Sequence, residues 1–364
     1  MDIEACTLHI KDPRNEKNRV YSLDSLLFLV FSSVLSGYDS VDSIVEFGQL
    51  KLGWLQKYVH LPRVPSRETL RFLIACLKAE ELIRGFEAFI SLNNCRQNDI
   101  ISIDGKSMRG TATNGAEALH VLSAWSKRSG ITLCALASSG KKNEIKTVPK
   151  LLDNLQLKGA TVSTDAMNCQ RDIAAKIIAG GGDYVLPLKA NQNALFEEVK
   201  AYEHKVNREQ FEGCHHEVFE EVDKGHGRVE VRTYTHILLN DWVSKKSHWA
   251  GAQSIVKVDR TRDIKGQKQQ ESSWYLSSLD INARHAAEAI RGHWEVENNL
   301  HWRLDVIFKE DAYRSNNCGL NMGIIKRFCM NLLTLNDTSK RRMKHKVMAS
   351  AIDDDYRAKI LLNG

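Results

Sequence analysis

The order of short β-type and helical runs between residues 100 and 189 restricts the folds open to this 364-residue chain more than any other feature. IISID (100–104), HVLSAWS (120–126) and ITLCALAS (131–138) are three successive runs of β-branched and apolar residues, with Ser129-Gly130 as a tight turn before the third. A helix is predicted from about Val148 to Leu157, on the spacing of Val148, Leu151, Leu152 and Leu155. ATVSTDA (160–166), a helix from about Gln170 to Ala179 and the strand DYVLPLK (183–189) complete the block. The order β-β-β-α-β-α-β predicts an α/β fold whose mixed sheet joins a meander to parallel strands.

The flanking segments have other textures. Residues 20–92 carry helical apolar spacing, with a stop at Gly37 and a helix start at PSRET (65–69), where Ser66 is the N-cap. EVFEEVDKGHGRVEVRTYTHIL (217–238) alternates around a Gly-His-Gly turn and reads as a β-hairpin, and QSIVKVDRTRD (253–263) and SSWYLSSL (272–279) continue the β character. A long helical run starts near Ala283, a further helix covers 321–335, and KRRMKHK (340–346) is a concentrated basic run. The expected organisation is a small helical N-terminal domain (1–95), a sheet domain (96–199), a β-rich insertion (200–275), C-terminal core helices (276–338) and a basic tail (339–364).

Composition excludes several classes. The chain is 43% hydrophobic and 26% charged, as in ordinary soluble domains. Its richest apolar window, SLLFLVFSSVLSG (25–37), is too short to span a bilayer, and the mixed start MDIEACTLHIKD is not a signal peptide. A cytoplasmic protein, nucleoid-associated if it works on DNA, is expected. None of the eight cysteines pair as C-x-x-C, so neither a zinc site nor a disulfide frame is indicated. The net charge of +6 has the sign that suits a polyanion partner.

Two acids close predicted strands: Asp104 ends the first and Asp165 the fourth. A lone strand-end Asp serves as a turn or cap residue, whereas two on neighbouring strands suit a metal site beyond the strand ends. In the late helix His293, Glu297 and His301 recur every four residues near one face, and Glu297 is the natural third carboxylate, with Asp305 as a rival. The spacing is not H-E-x-x-H, which argues against zinc. Three carboxylates without Cys or His ligands suit Mg²⁺ or Mn²⁺, a pair of which supports in-line phosphoryl displacement.

On the motifs IDGKSMRG (103–110), HVLSAWS (120–126), TDAMNCQRDIA (164–174), DYVLPLKANQ (183–192), HGRVEVR (226–232) and HWEVENNLHWRLDVIFKED (293–311), the chain resembles the H-repeat-associated insertion-sequence transposases of the DDE superfamily. PSRETLRF (65–72) resembles the accessory domain that precedes their catalytic domain, and the likeness runs from about residue 11 to about 350. The resemblance implies an RNase H-like catalytic core with the acids at Asp104, Asp165 and Glu297. It also implies two divalent ions per active site, double-stranded DNA as substrate and target, and a homodimer on DNA. Related transposases often place a Tyr and an Arg before the helical Glu and a Lys after it. Here Ile290 and His293 precede Glu297, and Leu304 stands seven residues after it, so those roles pass to His293, Arg291 or Arg303.

The remaining polar residues each have two readings. Lys106, Arg109 and Lys189 lie beside predicted strand ends, where they would hold DNA phosphates or stay solvated. Asn191 and Gln192 either contact DNA or cap the next helix. Arg228 at the hairpin tip either enters a groove or serves solubility. Trp242, Trp249 and Trp274 either stack on an unpaired base or fill a core, and KRRMKHK either meets phosphates or is a solvated tail.

Overall fold

The computed structural model describes residues 7–93, 98–112, 117–225, 228–264 and 267–362. The helical front is α1 (Leu23–Leu35), α2 (Val41–Leu55), α3 (Arg67–Cys76) and α4 (Ala79–Asn93). Strands β1 (Ile100–Met108), β2 (Leu119–Ser126) and β3 (Ile131–Ser138) come next, then α5 (Glu144–Leu152), β4 (Thr161–Thr164), α6 (Arg171–Ala179) and β5 (Asp183–Leu188). Helix α7 (Asn193–Arg208) leads into β6 (His216–Gly225), β7 (Arg228–Leu238), β8 (Ser254–Ile264) and β9 (Gln267–Ser277). Then follow α8 (Ala283–Val296), a π turn (Glu297–His301), α9 (Trp302–Val306), α10 (Asn316–Leu335), α11 (Met343–Ile352) and α12 (Asp354–Leu362). These elements fall into two compact units. The first comprises Met1–Arg96, Gly105–Glu144 and Glu297–Gly364, and the second Gln97–Asp104 and Ile145–Val296.

In the first unit three of the front helices, α1, α2 and α3, start on side-chain caps: Ser22, Ser40 and Ser66 accept the backbone N–H of Ser25, Ser43 and Thr69. Helix α1 ends at Gly37, whose φ of +83° suits only glycine. The apolar faces of this front are buried around α10, which packs on α1, α3, α4 and β3. Phe328 of α10 stacks on Phe86 with ring centres 3.8 Å apart and meets Phe31 at 5.4 Å. Asn331 of α10 also pairs with the backbone of Thr132 on β3, accepting its N–H at 2.9 Å and donating to its carbonyl at 2.7 Å. The helical front therefore shares its core with residues 316–335 and does not stand as a separate layer. The strand order in this unit is β3-β2-β1.

The residues expected to form a basic tail fold into the same core. Helix α12 carries Arg357, fully buried, with its guanidinium 3.9 Å from the Trp54 ring centre and an ion pair to Asp354. Lys346, the last residue of the basic run, is buried and donates to the Leu333 and Asp337 carbonyls. The rest of the run except Met343, namely Lys340, Arg341, Arg342, Lys344 and His345, is exposed. Residues 339–364 are not a tail, because carbonyls of Leu333 and Asp337 accept Lys346 and the Trp54 ring faces Arg357.

In the second unit the strand order is β1-β4-β5-β9-β8-β7-β6. β1, β4 and β5 are parallel, and β9 pairs antiparallel with β5, Val185 opposite Ser277. The β-rich insertion is thus a continuation of the sheet itself, four antiparallel strands long. Helix α8 lies across these strands on a face of small residues, Ala283, Ala286, Ala287 and Ala289, all buried. Their lack of bulk lets the helix approach Tyr234, Val256 and Val258 closely. Glu217 accepts the N–H of Ala283 at 2.7 Å, so a β6 carboxylate sits at the positive end of that helix. No described helix is long and apolar enough to cross a membrane.

Candidate active site

β1 and β4 run parallel in register, Ile103 opposite Thr164. The residues that follow, Asp104 and Asp165, therefore sit side by side at about the 4.8 Å spacing of neighbouring strands. Both are half-buried. β1 does not end on its acid, as the sequence suggested. It continues through Gly105 and Lys106 to Met108. Asp165 lies one residue past β4 and caps a short turn, Oδ1 accepting the Asn168 N–H at 3.2 Å and its Nδ2 at 2.8 Å. The turn is braced from the loop after β5: Asn191 donates to the Ala166 carbonyl at 2.8 Å, and Gln192 to that of Cys169 at 3.1 Å. Asn191 and Gln192 thus fix the segment that carries Asp165. Lys189, beside them, is exposed. His293 is half-buried on α8. Arg228 opens β7, and its side chain, with the hairpin-tip residues 226–227, lies outside the described residues.

In the first unit Glu297 opens the π turn, its side chain 68% exposed, and His301 Nδ1 lies 3.2 Å from its Oε2. A π turn inserts one extra residue per turn and recurs at functional sites. Here it keeps Glu297 and the buried His301 in contact. Arg303 donates to the Asn299 side chain at 3.0 Å, and burial lowers its pKa. Arg109 is 85% exposed, within reach of an external phosphate.

Lys106 departs from expectation. It is 8% exposed, and its ammonium lies 2.6 Å from Asp305, 2.8 Å from Asp311 and 3.5 Å from Glu310. Burial lowers its pKa, but the charges of Glu310, Asp305 and Asp311 outweigh that and raise it overall. Asp305 is pushed up, first by burial and further by Asp311 and Glu310, against the pull of Lys106. Lys106 therefore meets carboxylates of its own chain where a phosphate was expected. Glu310, fully buried, also pairs with Arg327 at 2.5 Å. Arg327 in turn donates to Ser123 Oγ at 3.1 Å and to the Gly323 carbonyl at 3.0 Å.

On the other side of Lys106, Gly105 is a glycine for want of room. A Cβ there would lie 2.4 Å from His120 Nε2 and 2.5 Å from Glu144 Oε1. Those two side chains are buried and hydrogen-bonded at 2.6 Å, and Ser107 Oγ holds the other ring nitrogen of His120 at 2.9 Å.

The tryptophans of the insertion split. Trp249 is buried, Trp274 packs edge-on to Phe196, and Trp242 is 44% exposed beside Tyr202. His120, Glu144, Glu310 and Arg327 were not singled out from the sequence. One signal was available: Lys326-Arg327 interrupts an otherwise apolar helical run, and adjacent cations in such a run need internal partners. Lys326 finds Asp39 at 2.7 Å and the Phe308 carbonyl at 2.6 Å.

Comparison with known proteins places this arrangement. Residues 96–318 match the family described as Transposase DDE domain, and residues 6–90 match its companion, described as DDE_Tnp_1-associated. The chain belongs to the DDE transposase family. It is similar to "H repeat-associated putative transposase YhhI" of Escherichia coli (strain K12), 32% identical over 368 residues, covering 97% of this chain and 95% of that protein. YbfL of the same strain is equally similar, 32% identical with the same coverage. The synaptic complex of piggyBac transposase with hairpin DNA, seen by cryo-electron microscopy, superposes at a TM-score of 0.43 with 12% identity, covering 96% of this chain and 76% of that one. A likeness at that level carries no further conclusion. As a DDE transposase the chain is an enzyme, and its matched domain contains Asp104, Asp165 and Glu297.

Proposed function

We propose that this DDE transposase hydrolyses the phosphodiester at insertion-sequence ends, and that the freed 3′-hydroxyl then attacks a target-DNA phosphodiester, joining to its phosphorus and releasing the target's 3′-hydroxyl, with Asp104, Asp165 and Glu297 as the acids of one site. The observation that carries the reading is the β1–β4 register, which sets Asp104 beside Asp165 in a chain of this family. The orders β3-β2-β1 and β1-β4-β5, with β1, β4 and β5 parallel, support an RNase H-like core. For the third acid, Asp305 is committed to Lys106 at 2.6 Å, whereas Glu297 is exposed on its π turn, which favours Glu297.

The donor chemistry fits divalent ions. Two carboxylates on stiff, adjacent backbone offer hard oxygens, and the family's third acid adds more. Asp104, Asp165 and Glu297 would hold two Mg²⁺ or Mn²⁺ ions. Such ions, when bound, lower the pKa of an attacking water or hydroxyl and stabilise the leaving oxygen. The chain's own part is positioning. The sheet fixes Asp104, the Asn168 cap and the Asn191–Gln192 brace fix Asp165, and His301 orients one oxygen of Glu297. Exposed Arg109 and Lys189 would receive phosphates, and a homodimer would bring two element ends together.

The test is a cleavage and strand-transfer assay on DNA flanking the gene, with Mg²⁺ or Mn²⁺. Asp165→Asn and Glu297→Gln should abolish nicking, while Asp305→Asn keeps measurable activity. Wild-type nicking by Asp165→Asn would remove that residue from the site. Nicked ends that never join target DNA would reduce the function to a nuclease.

A further inference from the structure

The geometry points to Lys106 as a positioning residue for the third acid. Its ammonium clamps the segment that follows Glu297 onto β1, and it makes no contact with DNA. This rests on the three-acid reading of the site and adds a part to it.

Four observations converge. Lys106 stands two residues after Asp104, so the two side chains leave the same face of β1. Its ammonium grips Asp305, eight residues after Glu297, together with Asp311 and Glu310. The same segment is held a second time by backbone: Arg109 N–H donates to Asp311 Oδ1 at 3.2 Å. Gly110 has no Cβ, which would otherwise lie 2.4 Å from the Asp311 carbonyl oxygen and 2.7 Å from that of Tyr313. Finally, Glu310 ties the cluster through Arg327 to Ser123 on β2 and to α10. The chain turns sharply to bring Glu310 inward, with Lys309 at a φ of +49°.

The charges explain why a lysine is needed. Asp305, Glu310 and Asp311 are three acids in one place, answered by Lys106 and Arg327 from inside and by exposed Arg109 from the rim. Without the Lys106 ammonium, Asp305 and Asp311 would repel each other and Glu310, and α9 would move off β1. Glu297 is coupled to α9 through the π turn and His301, so its carboxylate would move too. A displacement near 1 Å at a reacting centre costs roughly 10²-fold in rate.

The experiment uses the full chain, Lys106→Met and Lys106→Arg, with Asp104→Asn as benchmark. Three quantities are measured: binding to an element-end duplex without metal, Mn²⁺ affinity from the electron paramagnetic resonance of free Mn²⁺, and the single-turnover nicking rate. Lys106→Met should bind the duplex within about twofold of wild type, bind Mn²⁺ about tenfold more weakly and nick about 10²-fold more slowly. Lys106→Arg should recover most of the rate, since a guanidinium can serve the same carboxylates. A folded Lys106→Met with wild-type rate and Mn²⁺ affinity overturns the inference. So does a loss of duplex binding as large as the loss of rate, which would make Lys106 a phosphate contact. If Lys106→Met does not fold, Asp311→Asn removes one of the three partners and should slow nicking about fivefold with duplex binding intact. A wild-type rate in that variant also overturns the inference. Full activity in Asp104→Asn would instead sink the three-acid reading itself.

Discussion

Replacing Gly105 by alanine adds one methyl group beside Asp104, and its cost can be worked from its surroundings. The new Cβ would meet His120 Nε2 at 2.4 Å and Glu144 Oε1 at 2.5 Å. Side-chain ends often swing away cheaply, but these cannot. Each is 2% exposed, they are bonded to each other at 2.6 Å, and Ser107 holds the far side of the imidazole. Overpacking of this kind costs about 1–3 kcal/mol. Loosening a hydrogen bond to a buried carboxylate adds about 1.5–3 kcal/mol. The stiffer unfolded chain returns about 0.4–1 kcal/mol. The net destabilisation is about 2–5 kcal/mol, which at a slope of about 2–3 kcal/mol/M lowers the urea midpoint by about 1–2 M. Gly53→Ala is the matched control. Gly53 lies in α2 with nothing within 4 Å of its would-be Cβ, so the same methyl should stabilise by about 0.5–1 kcal/mol. Equilibrium urea unfolding followed by circular dichroism reads both. If the two variants shift the midpoint in the same direction, or Gly105→Ala leaves it unmoved, the packing argument is wrong.

Four further outcomes are expected. Burial raises the Asp337 carboxyl, but the Ser339 and Tyr356 hydrogen bonds and the Lys346 charge outweigh it and bring the pKa down to about 2. A lowered folded pKa gives stability that is present above the unfolded value near 3.8 and lost as pH falls towards 2. Asp337→Asn should therefore be less stable than wild type at pH 6, with the gap closing between about pH 4 and 2; a constant gap in urea titrations would contradict this. Arg357→Ala removes a buried guanidinium from the Trp54 face and should cost about 2–4 kcal/mol. Deleting 339–364 should abolish the cooperative melt of the first unit, and an unchanged melting temperature in either case would return those residues to the status of a tail. Asn191→Ala frees the Ala166 carbonyl and should slow nicking about tenfold with DNA binding intact, because the Asp165 turn loses its brace; a wild-type rate would show that Asn168 suffices.

Local chemistry made much of this protein legible in advance. The alternation of apolar and β-branched residues marked β1 to β5, and Ser66 marked a helix start, because strand period and helix caps act over a few residues. The same patterns placed Asp104 and Asp165 near strand ends, where the register sets them side by side. What stayed hidden depends on partners far apart in sequence. A glycine normally weakens a strand, so β1 looked finished at Asp104; only the packed His120 and Glu144 make Gly105 the residue that lets it continue. Lys106 looked like a phosphate ligand until Asp311, 205 residues away, came within 2.8 Å. Residues 339–364 looked like a tail until Asp354 met Lys51, 303 residues away, at 2.8 Å. The sequence by itself determined which elements form and which residue types they carry. Tertiary structure decided which charges face one another, because a buried ion has no preference among distant partners until packing leaves it only one set within reach.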